Sequence, residues 1–176
     1  MAIRKVARMG HPVLRTPATP VGAAGGGELH RLVADMLATM ADEGGIGLAA
    51  PQVHDSRRVV VIDAPAGPDA PETDGAPRGE LIDPVVEVLD PGPVTAKEGC
   101  LSIPGIVGEV PRAARIRYWA RDLEGHAIDR EATGLHARVV QHEIDHLDGV
   151  LFIDRMPDLT TLSFTSERGR PAPERP

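Results

Sequence analysis

The chain has 176 residues, 41% hydrophobic but only 2% aromatic, with 19 Lys and Arg against 26 Asp and Glu for a formal net charge of −7. That length suits one domain with a core of Val, Leu, Ile, Ala and Met, and the acidic balance argues against non-specific binding to nucleic acid or an anionic membrane. No stretch supplies the roughly 20 apolar residues that cross a bilayer, no signal-peptide core follows the basic start, and the lone Cys100 excludes an internal disulfide, so a cytoplasmic protein is expected.

Residues 1–20 carry Gly10-His11-Pro12, Pro17 and Pro20 and read as a strand or an extended arm across the body, because Pro12 restricts His11 to extended geometry. Gly22–Gly27 is a break. From Glu28 to Asp42, Leu29, Leu32, Val33, Met36, Leu37 and Met40 recur at spacings of three and four, which predicts an amphipathic helix ended by Gly44-Gly45. Gly45–Gln52 is crowded with small residues and suits either a tight buried turn or a close backbone approach to a ligand. Arg58–Asp63 is a β-branched strand. Ala64–Glu80 shifts to Pro, Gly, Asp and Ala and is expected as a mobile loop. Leu81–Leu89 is a second strand region, with turns expected at Asp90–Pro93 and again at Pro104-Gly105.

Ile116–Ala120 reads as a strand, Asp122–Gly125 as a hairpin turn, and residues 126–131 as the returning strand. Thr133 is the expected N-cap of a second helix, with Leu135, Val139, Val140, Ile144 and Leu147 as its buried stripe and Gly149 as its stop. Beyond Met156-Pro157 no period is visible, and 158–176 is expected as a disordered tail. The order of elements predicts one α+β domain over 1–157, with antiparallel β-sheets around a central helix and an N-terminal helix beside them.

The second helix carries His142-Glu143-Ile144-Asp145-His146. Histidines four residues apart share one helix face and can grip one metal ion, and Glu143 lies beside them as a base. A catalytic site of this kind needs a third protein ligand. Cys100, His126, His136, Asp145 or a distant carboxylate could provide it; no His or Glu follows the motif until Glu167. A peptidase of the zincin type and a catalytically silent metal-binding domain share the motif with any other reading of it.

Three segments, in this order, resemble the peptide deformylase family: Gly45-Ile46-Gly47-Leu48-Ala49-Ala50-Pro51-Gln52, Glu98-Gly99-Cys100-Leu101-Ser102, and His142–His146 extended by Leu147-Asp148-Gly149. The similarity covers about residues 3–156. It implies that Cys100, His142 and His146 bind one divalent metal per chain, Fe(II) in the cell with Zn, Ni or Co able to replace it. Glu143 would move the proton, and the Gln52 side chain and the Leu101 backbone N–H would stabilise the oxyanion. The substrate would be the N-formyl-methionyl end of a nascent peptide, bound by Ile46, Gly47 and Gly99, with Ile103, Leu135 and Val139 as candidates for the methionine pocket. Arg112 is expected to pair with Glu98. Many family members contact the ribosome through a basic C-terminal helix, to which Thr160–Pro176 is poorly suited.

Overall fold

Val59–Ala64 shows how the chain is layered. In the computed structural model, which describes residues 1–22, 26–65 and 75–167, this strand is buried on both faces. Its alternate residues enter two different cores, as the two-residue repeat of a strand requires. Val60 and Ile62 pack with Val139, Val140, Ile144 and Leu147. Val59 and Val61 pack with Leu29, Leu32, Met36 and Met40.

The elements are α1 (Gly27–Asp42), β1 (Gly47–Ala49), β2 (Val59–Ala64), β3 (Ala76–Cys100), β4 (Ile103–Arg121), β5 (Ala127–Thr133), α2 (Gly134–Leu147) and β6 (Ser163–Phe164). The strands join in one antiparallel sheet of order β1-β2-β3-β4-β5, with β6 paired to β4. Helix α2 touches β1, β2, β3, β4 and β5, so the expected α+β fold around a central helix is what forms. Helix α1 covers β1 and β2 from the other side. A third cluster joins Leu14 of the N-terminal arm to Ile103, Val110, Leu151 and Phe152. Among the described residues no helix is long and apolar enough to cross a membrane.

Four expectations are corrected. Ala64–Glu80 is not all loop: Ala76–Glu80 begins β3 and pairs with β2, as in Val61↔Glu80 and Ala64↔Ala76; residues 66–74 lie outside the described residues. Asp90–Pro93 does not turn the chain. β3 runs through it with shifted register against β4. Prolines 84, 91 and 93 are tolerated because β3 beyond Ile82 pairs with β4 alone, leaving an open edge where a missing N–H breaks no ladder bond. The turn placed at Pro104-Gly105 falls instead at Leu101-Ser102, with Cys100 paired to Ile103. The segment from Asp158 to Glu167 is not disordered but forms short 3-10 turns around β6; residues 168–176 lie outside the described residues. Thr133 occupies the N-cap of α2, yet its side chain makes no capping hydrogen bond.

Candidate metal centre and active site

The end of β3 delivers Cys100 to the face of α2 that carries both histidines. One ligand atom each from Cys100, His142 and His146 lies within 4.8 Å of the others. Cys100 Sγ is 3.2 Å from His146 Nε2. The imidazoles meet edge to face at 5.0 Å, one helical turn apart. The competing candidates for a third ligand sit elsewhere. His126 is in the exposed β4–β5 turn, 2.9 Å from Asp122. His136 is 2.9 Å from the Tyr118 hydroxyl in the core. Asp145 is held by Arg112 and Arg155.

A buried charged network fixes the histidine face. His142 Nδ1–H donates to Glu98 at 2.9 Å, which leaves Nε2 as the nitrogen that can give up its proton to a metal ion. Glu98 also receives two bonds from Arg112, both 2.9 Å, and one from Arg138 at 2.7 Å. Arg112 continues to Asp145 at 2.5 Å. Burial alone would raise the Glu98 carboxyl, but the bonds from Arg112 and His142 win and hold it far below the usual range. Burial likewise opposes charge on His142, but bonds to Cys100 and Glu98 raise it to about 10. For His146 burial, reinforced by the charges of His142 and Arg112, outweighs the pull of Glu98 and drives it well below its ordinary value.

Glu143 is buried on the same turn, and burial pushes it up to about 7. Its partner surface is the backbone of Gly47: a Cβ there would collide with the Glu143 carboxylate and come within 2.9 Å of Cγ. Gly47 is therefore the close approach anticipated for the Gly-rich segment. Gln52 is anchored by its Oε1, which accepts from the Ala49 N–H at 2.9 Å. Its Nε2 donates to Ser102 Oγ at 3.1 Å and faces Cys100 Sγ at 3.5 Å.

The N-terminal arm ties these pieces together. Ala7 N–H donates to the Gln52 carbonyl at 2.7 Å, Met9 N–H to the Ser102 carbonyl at 2.8 Å, and the Arg8 guanidinium to the Leu101 carbonyl. A cavity of about 560 Å³ opens over the site, lined by Ile46, Gly47, Gln52, Gly99, Cys100, Leu101, His142 and Glu143. Ile103, Leu135 and Val139 also line it, although Val139 belongs equally to the core. Eight of the nine metal, catalytic and peptide-binding residues named from the sequence thus line one cavity, and the ninth, His146, is buried against Cys100. The Asp145–Arg155 and Arg138–Glu98 pairs were not anticipated. Arg138 stands one helical turn before His142, a spacing that could have suggested a shared partner.

The residues fit a divalent metal. A thiol and two imidazoles form a borderline-soft donor set, suited to such ions. Among the described residues, the two buried side-chain polar atoms without a hydrogen-bond partner are Glu143 Oε2 and His146 Nδ1, both in this site. Buried polar atoms are rarely left so, and concentrating them here points to chemistry rather than packing.

A sequence profile described as polypeptide deformylase matches residues 3–161. The chain is 46% identical over 163 residues to peptide deformylase 1 of Nitrosomonas europaea, covering 93% of both chains. It is 44% identical to peptide deformylase 2 of Ralstonia nicotianae, covering 93% of this chain and 92% of that one. The fold superposes on a class I type b peptide deformylase from Acinetobacter baumannii with a TM-score of 0.81 and 35% identity, over 89% of this chain and 100% of that one. A peptide deformylase from Thermotoga maritima gives 0.80 and 37%, over 90% and 100%.

Proposed function

The chain belongs to the polypeptide deformylase family, and from that premise we propose that Cys100, His142 and His146 hold its metal ion while Glu143 moves the proton. It is a metal-dependent hydrolase that removes the formyl group from the N-terminal formyl-methionine of newly made polypeptides and releases formate. The observation that carries the residue assignment is the convergence of one sulfur and two imidazole nitrogens within 4.8 Å, beside a buried carboxylate with an unpaired oxygen.

When bound, the ion supplies Lewis acidity, which polarises the formyl carbonyl and lowers the pKa of water from near 16 towards about 7. Cys100 contributes a thiolate, and His142 offers Nε2 because Glu98 holds its Nδ1–H. The negative thiolate softens that acidity, which makes Glu143 a needed base. Glu143 accepts a proton from the attacking water and returns it to the leaving amine. A carboxyl poised at about 7 suits both transfers. The Gln52 amide and the Leu101 backbone N–H donate to the oxyanion, with each such donor typically worth about 3 kcal/mol of barrier.

Ile46, Gly47 and Gly99 offer backbone groups to the peptide in strand fashion. Ile103, Leu135 and Val139 receive the methionine side chain. The Acinetobacter baumannii relative has a structure with Met-Ala-Ser bound, and we place a formyl-methionyl peptide in the corresponding cavity here. We propose Fe(II) as the cellular ion; the thiolate and two imidazoles would equally accept Zn, Ni or Co. We propose that the enzyme acts on nascent chains in the cytoplasm, with transient contact to the ribosome. Among the described residues, Asp158–Glu167 forms 3-10 turns and β6 rather than an α-helix.

Anaerobic assay of Fe(II)-loaded protein on formyl-Met-Ala-Ser tests the assignment. Stoichiometric formate release is expected; no release with metal bound overturns it.

A further inference from the structure

The segment after Pro157 has a fixed place that the catalytic reading does not use. The Asp158 side chain accepts from Thr160 N–H at 2.8 Å, and the Thr161 hydroxyl accepts from Glu109 N–H at 3.2 Å. β6 then pairs with β4 through Ile106↔Phe164 and Val107↔Ser163. At Gly108 the segment lies flush on the β4 backbone: a Cβ there would come within 2.6 Å of Met156 Sδ and 3.3 Å of Leu162 Cδ2. A side chain at 108 would push the Met156 side chain aside.

The same register brings the segment to the substrate. Ile106 and Val107 of β4 line the active-site cavity, and so does Thr165, the residue after β6. Phe164, paired across to Ile106 and followed by Thr165, has 60% of its surface exposed. It is one of only two Phe in the chain, while the other, Phe152, is buried in the core. Ile46, which lines the cavity, is also 41% exposed. An exposed apolar side chain thus stands next to Thr165 and across from Ile106, two residues that line the cavity holding the reacting groups.

We infer that Ser163–Thr165 forms one wall of the peptide groove and that Phe164 makes an apolar contact with residues downstream of the formyl-methionine. The inference rests on the deformylase reading. The occupant is the peptide because Ile106, Val107 and Thr165 make the wall continuous with the catalytic cavity. Phe164 is not a catalytic residue; it acts on specificity, by covering apolar surface that would otherwise stay wet.

The test compares kcat/KM on formyl-Met, formyl-Met-Ala-Ser and formyl-Met-Ala-Phe for wild type, Phe164→Ala and Phe164→Leu, all metal-loaded. In Phe164→Ala the ratio of formyl-Met-Ala-Phe to formyl-Met falls about fivefold, mainly through KM, and Phe164→Leu restores most of it. The ratio for formyl-Met-Ala-Ser moves less. An equal loss on all three substrates, or no change in any ratio, overturns the inference while leaving the activity assignment standing. A Phe164→Ala protein that shifts from dimer to monomer by sedimentation also overturns it, by making a second copy the occupant. Wild type that releases no formate from any of them overturns the activity assignment, and this inference with it.

Discussion

Helices α1 and α2 both bury one face against β2, but they bury different things. On α1 the buried residues are Leu29, Leu32, Val33, Met36, Met40 and one Thr. Even that Thr39 is satisfied, donating to the Asp35 carbonyl at 2.7 Å and accepting from Arg4 N–H at 2.9 Å. On α2 the buried set includes His136, Glu143, Asp145 and His146. Helix α1 is held by apolar area removed from water. Helix α2 carries charges whose burial costs free energy unless partners compensate, and the compensation is uneven. Asp145 has two arginines and His136 has Tyr118, whereas Glu143 Oε2 and His146 Nδ1 have no partner among the described residues. The uncompensated groups are the ones assigned to chemistry.

That contrast can be broken in three places. Arg112 neutralises both Glu98 and Asp145, so Arg112→Ala leaves two buried carboxylates short of a partner. Unfolding in urea is expected to show a loss of about 3–5 kcal/mol, as for a buried ion pair stripped of one member. A loss below about 1 kcal/mol, the range of surface pairs, would mean the network contributes no more than surface charges do.

Glu143 gives a smaller, pH-dependent effect. Its folded pKa of about 7 lies above the ordinary 4.5. Between those values the folded protein holds a proton that the unfolded chain has released, so this group's contribution to stability falls as pH rises through that window. In metal-stripped protein, Glu143→Gln should therefore gain on wild type by about 3 kcal/mol between roughly pH 4 and pH 8. A pH-independent difference between the two would show that Glu143 is solvated rather than buried.

The smallest effect belongs to α1. Met36→Leu conserves volume and polarity in a fully buried position, so it should cost less than about 1.5 kcal/mol and leave turnover unchanged. The equally isosteric Asp145→Asn on α2 should cost more, because Arg112 and Arg155 lose their shared charge. If the two substitutions cost the same in urea unfolding, the helices do not differ in the way argued here.

The same contrast governs what the sequence reveals. The α1 stripe and the turn at Asp122–Gly125 depend on local spacing, and both form where spacing puts them. The ligand histidines are legible because one helix turn brings them together. Cys100 joins them only through a strand hairpin 42 residues before His142, so spacing alone left it one of several candidates and the resemblance of Glu98–Ser102 singled it out. Pro84 hints at an edge and stands on one, whereas Pro91 and Pro93 read as a turn because a sequence does not show which strand edge is open. The docking of Ser163–Phe164 is illegible for a similar reason: its partners are Ile106 and Val107 on β4, nearly 60 residues earlier, and nothing in the tail itself shows which edge is free to receive it.

Glu143 offers the most direct test of the central claim, that one face of α2 separates holding a metal from moving a proton. Glu143→Ala protein should be loaded anaerobically with Fe(II), assayed for metal per chain, and then for formate release from formyl-Met-Ala-Ser. The account predicts one metal per chain, as in wild type, with kcat lowered about a thousandfold. Metal retained with near-normal turnover would contradict it.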